Sequence, residues 1–161
     1  MDELFFFGDF MLNHFTITIA TPEGFGTYYT NRAWIVPEGL TAFGYKEANT
    51  DGTLIKTDVF TVGDVVPPNA ALVVKGNKGD YECFVTDKIA TKTLDGNLLK
   101  GVLEATTIAK TEGIKRYILT KNNDGVLGFY QTNTGNIKVK ANRAYLELID
   151  TQSQNNPQIK L

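Results

Sequence analysis

Tyr117-Ile118-Leu119-Thr120-Lys121-Asn122-Asn123-Asp124-Gly125-Val126-Leu127-Gly128-Phe129-Tyr130 reads as two extended runs folded back on each other by a tight turn. The flanks are rich in β-branched and aromatic residues, which fit a pleated, half-buried surface. Between them Gly125 supplies the positive φ that a short hairpin demands, and Asp124 tolerates the left-handed region beside it. The same turn chemistry occurs earlier, at Asn49-Thr50-Asp51-Gly52, again between β-like runs.

The two turns lie 73 residues apart, and one further pair of phrases shares that spacing. Asn69-Ala70-Ala71-Leu72-Val73 corresponds to Asn142-Arg143-Ala144-Tyr145-Leu146, whereas the similar Asn31-Arg32-Ala33-Trp34-Ile35 falls outside the period. A repeated turn and a repeated strand at one offset predict two related halves, roughly residues 40–76 and 113–149. Each would be a hairpin, a polar connection and a strand entered through an Asn. Neither could bury its apolar face alone.

Working outward, Phe15, Ile17 and Ile19 alternate with Thr16, Thr18 and Ala20, the period of a strand with one buried face. Further strands are predicted near 27–36, 40–47, 53–62, 70–76, 81–86, 98–103, 116–121, 126–132 and 143–149. No window holds a 3.6-residue apolar period over three turns. Residues 103–112 have room for one helical turn, against which their threonines weigh. Strands broken by turn signals about every ten residues predict an all-β, antiparallel β-sandwich of about ten strands, with a closed β-barrel as the runner-up. Residues 1–14 read as an N-terminal extension, 15–150 as one β-sandwich domain and 151–161 as a flexible C-terminal tail.

The composition sets limits on function. A chain of 161 residues with 42% hydrophobic and 21% charged content builds its own core without disulfides or metal. A net charge of −2 argues against nucleic acid, since Lys75, Lys78, Lys138 and Lys140 read as the scattered lysines that protect sheet edges. The apolar start opens with Asp2 and Glu3 and lacks the basic region of a signal peptide. No run approaches the roughly 20 apolar residues of a membrane span.

Reactive side chains are scarce. Ser153, His14 and Cys83 are the only residues of their types, and the serine and histidine fall in the terminal segments. A nucleophile and its base must share hydrogen-bond reach on rigid elements, so no such pair is expected. One His and one Cys do not make a zinc site, and Asp51 and Asp124 lack the spaced carboxylates of a calcium loop. Cys83 alternates with Tyr81 and Val85 and reads as a core residue. Glu82, Glu104, Glu112 and Glu147 show no spacing that selects a glycosidase pair. Gly24-Phe25-Gly26 lacks the third glycine of a phosphate loop and reads as a turn. No catalytic residue, metal or cofactor is therefore predicted.

Aromatics are the positive signal. Tyr28, Tyr29, Trp34, Tyr45, Tyr81 and Tyr130 stand on predicted strands, and adjacent pairs such as Tyr28-Tyr29 must point to opposite faces. These six are the candidate ligand-binding residues, because exposed rigid rings suit sugar faces and protein contacts alike.

Several phrases carry a family resemblance: Gly26-Thr27-Tyr28-Tyr29, Gly39-Leu40-Thr41-Ala42-Phe43, Val66-Pro67-Pro68-Asn69-Ala70-Ala71-Leu72-Val73-Val74-Lys75-Gly76 and Leu99-Lys100-Gly101-Val102. Tyr117-Ile118-Leu119-Thr120, Gly128-Phe129-Tyr130 and Ala141-Asn142-Arg143-Ala144-Tyr145-Leu146 continue it. In this order, over about residues 15–150, the chain resembles β-rich accessory modules recurring in secreted and cell-surface multidomain proteins of Bacteroidetes-type bacteria. The resemblance implies an extracellular or cell-surface setting and a non-catalytic role in attachment, spacing or protein interaction. Its implied partners are other domains of the same protein and a protein or glycan ligand. The alternative is a carbohydrate-binding module with an exposed aromatic platform.

Overall fold

The computed structural model describes residues 13–48, 54–149, 158–159 and 161. Among them the fold is all-β and antiparallel, with sheets stacked as a sandwich and none closed into a barrel. No helix is long and apolar enough to cross a membrane.

The first half supplies two sheets. An inner one has the order β2(Phe25–Thr30), β7(Ala70–Lys75), β4(Thr41–Ala48), β5(Leu54–Phe60). An outer one has the order β1(His14–Ile19), β8(Gly79–Val85), β3(Trp34–Ile35), β6(Val65–Val66). The second half repeats the plan. Its inner sheet runs β9(Leu99–Val102), β14(Arg143–Ile149), β11(Ile114–Lys121), β12(Leu127–Tyr130), with β15(Gln158–Ile159) added at the β12 edge. Its outer layer is a single ribbon, β10(Thr106–Ile108) with β13(Ile137–Val139).

The repeat is therefore longer than the turns and strands that suggested it. The strand order of β2 to β7 recurs in β9 to β14, and equivalent pairings match: Thr30 faces Ala70 as Val102 faces Arg143, and Trp34 faces Val66 as Thr106 faces Val139. Asn69 and Asn142 are the positive-φ non-glycine residues of the described chain, at 64° and 58°. Each donates its backbone N–H to the equivalent strand, to Thr30 O and Val102 O, at 3.0 Å. Asn suits this entry because its short polar side chain lowers the cost of the left-handed conformation.

Layering explains the strand sequences. β7 is covered on both faces: Ala71 and Val73 enter the core shared by the two inner sheets, while Ala70, Leu72 and Val74 enter the core under the first outer sheet. A strand buried twice has no reason to alternate, and Ala-Ala-Leu-Val-Val does not. Its counterpart β14 sends Ala144, Leu146 and Leu148 into the shared core. Its other face is roofed only by the ribbon, over Tyr145. There Glu147 accepts from Arg116 at 2.9 Å, a polar pair in place of the first half's apolar packing.

Several sequence expectations are corrected. Residues 103–112 hold strand β10 and no helical turn, as their β-branched threonines favour. The predicted strand 27–36 divides into β2 and β3, which join different sheets, and the short strands β6, β10, β13 and β15 escaped prediction. Within 151–161, Gln158–Ile159 pairs with the edge of β12 as β15, where main-chain groups are open to an extended segment. The Asn122–Gly125 turn forms with Gly125 at φ 79° as expected but without a left-handed Asp124, and Asn122 Oδ1 accepts from the N–H of Asp124 and Val126 at 2.9 Å each. The Asn49–Gly52 turn, residues 1–12 and Ser153 lie outside the described residues.

Candidate functional site

The two inner sheets meet along a seam, and main-chain hydrogen bonds lock it. Asn142 O accepts from Tyr29 N–H at 3.1 Å, and Asn142 Nδ2 donates to Tyr29 O at 3.0 Å. Buried Thr27 Oγ1 accepts from Ala144 N–H at 3.1 Å, and Arg143 Nη1 donates to Thr27 O at 3.2 Å. On the other flank Asn97 Nδ2 donates to Ala71 O at 2.8 Å, while its Oδ1 accepts from the N–H of Tyr45 and Leu99. Between them the side chain of Tyr29 packs directly against Gly101. A Cβ at Gly101 would stand 2.1 Å from Tyr29 Cγ.

Two clefts open along this seam, and they are counterparts under the internal repeat. The larger, about 1250 Å³, runs past Tyr29, Arg32, the Pro67–Ala71 entry to β7, the connection 85–97 and Lys100. Its charge is mixed, with Asp87 and Asp95 among the cations. The smaller, about 590 Å³, runs past Thr18, Phe25–Thr27, the Ile118–Lys121 end of β11, Leu127 and the Lys138–Ala144 entry to β14. Lys121, Lys138, Lys140 and Arg143 line it, and among the described residues no Asp or Glu does.

The predicted aromatics divide. Trp34 and Tyr45 are 0% and 2% exposed and Tyr28 is buried, so these three serve the core and offer no platform. Tyr28 stacks on Phe15 with centroids 5.1 Å apart, and Trp34 meets both rings edge-on. Burial raises the phenols of Tyr28 and Tyr45 to about 12. Tyr81 and Tyr130 are half-buried, their hydroxyls donating to Asn77 O at 2.6 Å and Val126 O at 2.8 Å. Neither lines a seam cleft. Tyr29 lines the larger one, with its hydroxyl on Asn69 Oδ1 at 3.3 Å.

The reactive side chains fall elsewhere. Cys83 is buried in the first outer core, and burial, then the charge of Glu82, pushes its thiol up to about 12. His14 Nδ1 hydrogen-bonds Glu82, its diagonal neighbour across the β1–β8 pair, on an exposed edge. Glu147 is held by Arg116. Among the described residues no three His, Cys, Asp or Glu converge as a metal site would require.

Sequence reading missed Arg143, Lys121, Tyr145 and Asn97. The Lys138-Val139-Lys140 alternation was visible, but nothing linear ties it to Lys121 and Arg143. No protein family, curated protein or solved structure matches the chain.

Proposed function

We propose that this chain is a non-catalytic accessory module of an exported surface protein, acting in attachment, spacing or protein interaction. One observation carries this reading: the two β-halves are hydrogen-bonded to each other through Thr27, Tyr29, Asn97, Asn142 and Ala144, with open clefts along their seam. Rigid elements around a recess hold contact residues in place without ordering cost. The polar groups with chemical potential are spent on structure: Cys83 as a core residue, His14 and Glu82 on each other, Glu147 on Arg116. The exported setting rests on the resemblance of the sequence phrases alone. Incubation of the purified chain with a panel of chromogenic glycosides and esters tests the reading. No turnover is expected, and turnover abolished by substituting Glu82 or Glu147 would overturn it.

Carbohydrate binding is the second reading, favoured by Tyr29 in the larger cleft. A neutral-glycan array probed with the wild-type chain and with Tyr29→Ala separates the two readings. Binding lost with the ring favours the carbohydrate module; no binding by either favours the protein-contact role.

A further inference from the structure

We infer that the smaller seam cleft is a binding site for a short acidic glycan, a sugar chain bearing carboxylate or sulfate groups. The fold does not require its charge. In the first half the positions equivalent to Arg143, Lys140 and Lys138 hold Ala70, Pro67 and Val65, so this cationic lining belongs to one half alone. The counterpart cleft balances its cations with Asp87 and Asp95, whereas this one is lined by four cations and no acid. Positive charge is thus concentrated in one recess of a chain with net charge −2, where the four lining cations outnumber the acids at its margin, Glu23 beside Lys121 and Asp80 on Thr18 Oγ1.

The cations are spread and partly held in place. Lys138 and Lys140 are exposed and, two residues apart on extended chain, stand about 7 Å from each other. Arg143 spends Nη1 on Thr27 O, which fixes its guanidinium at the cleft and leaves its remaining donors for a ligand. Lys121 reaches Glu23 at 3.4 Å, a contact weak enough to exchange for a ligand anion. Among the described residues Lys138, Lys140 and Arg143 have no carboxylate partner. Charges spaced along a recess match an oligomer with a charge on successive units better than one compact anion. Beside the cations, the half-buried Phe25 and Leu127 offer the apolar surface that the C–H faces of sugar rings cover. The recess is short, and beyond it the overall acidic chain repels a long polyanion, which disfavours a nucleic acid strand.

This inference deepens the carbohydrate reading but uses a different cleft, so the two fail separately. Calorimetric titration of the full chain with tetragalacturonate, a sulfated tetrasaccharide and neutral maltotetraose tests it. We expect one or both acidic probes to bind, weakening steeply with added salt, and the neutral probe not to bind this cleft. Lys138→Ser with Lys140→Ser should lower acidic-probe affinity about ten-fold or more. The control pair Lys46→Ser with Lys78→Ser makes the same change in net charge away from this cleft and should leave affinity unchanged. Both pairs lie on exposed positions, so loss of folding does not confound the comparison. Absence of binding by both acidic probes, or equal losses in the two variants, would overturn the inference. So would tighter binding of an oligonucleotide or a polyglutamate peptide of equal charge. Tyr29→Ala should leave acidic-probe affinity intact; if it alone abolishes all glycan binding, the larger cleft is the site.

Discussion

Gly101→Ala is the substitution that most directly probes how the halves join. In an ordinary strand this change is neutral or favourable, because alanine gives up less chain entropy than glycine on folding. Here the added Cβ would lie 2.1 Å from Cγ, 2.2 Å from Cδ1 and 2.4 Å from Cβ of Tyr29, against an ordinary carbon contact of 3.4–4 Å. The ring must therefore move by more than an ångström, and its hydroxyl contact with Asn69 and the adjoining main-chain bonds to Asn142 move with it. Overpacking of this kind costs about 1–3 kcal/mol. For a chain of this size that lowers the melting temperature by about 3–10 °C. Tyr29 and Gly101 are equivalent positions of the repeat, facing Ala71 and Ala144, so the two halves meet here through the same position of each. Two tyrosines would collide there; one ring and one glycine fit. Urea unfolding of Gly101→Ala, Tyr29→Ala and the double variant gives the coupling directly. Gly101→Ala should cost about 1–3 kcal/mol with Tyr29 present and close to nothing without it. A Gly101→Ala protein as stable as wild type, or an equal cost in both backgrounds, refutes the packing of the inner sheets described above.

Thr27→Val keeps the shape of a buried seam residue but leaves the Ala144 N–H without an acceptor, and chemical denaturation should show a loss of about 1–3 kcal/mol. Asn142→Ala should cost more than Asn69→Ala. Both lose a tolerated left-handed residue, but only Asn142 also donates from its side chain to a main-chain oxygen across the seam. Asn69→Gly should be nearly neutral in the same assay. Cys83, Tyr28 and Tyr45 ionise later in the fold than their ordinary 9.0 and 10.0, each at about 12. Their stabilisation is complete below the ordinary values and is lost as pH rises toward 12. Thermal melts should fall across that alkaline window, and a flat profile there refutes the assignment of these groups to the core. At neutral pH native Cys83 should resist a thiol reagent that labels it fully in denaturant.

How much of this was legible in the sequence depends on the range of the interaction. Asn122-Asn123-Asp124-Gly125 closes its turn with groups four residues apart, so the hairpin could be read directly. The 73-residue offset announced the duplication because an Asn tolerates the left-handed entry to β7 and β14 in both halves. Even the burial of β7 on both faces shows in its lack of alternation. The aromatic residues could be placed on strands but not on faces, since a two-residue period says that neighbours differ without saying which layer covers which. Trp34 and Tyr45 went to the core because a second sheet lies over each, a fact of stacking.

By itself, then, the sequence determined an all-β antiparallel sandwich, its main strands, one tight turn and its duplication, all set by local backbone preference and short-range pattern. Only the tertiary structure decided how the halves stack, which aromatic rings reach a cleft, and that Lys121, Lys138, Lys140 and Arg143 line one recess without an acid. Those outcomes depend on contacts between residues as far apart as Thr27 and Ala144, whose proximity exists only once the sheets have packed.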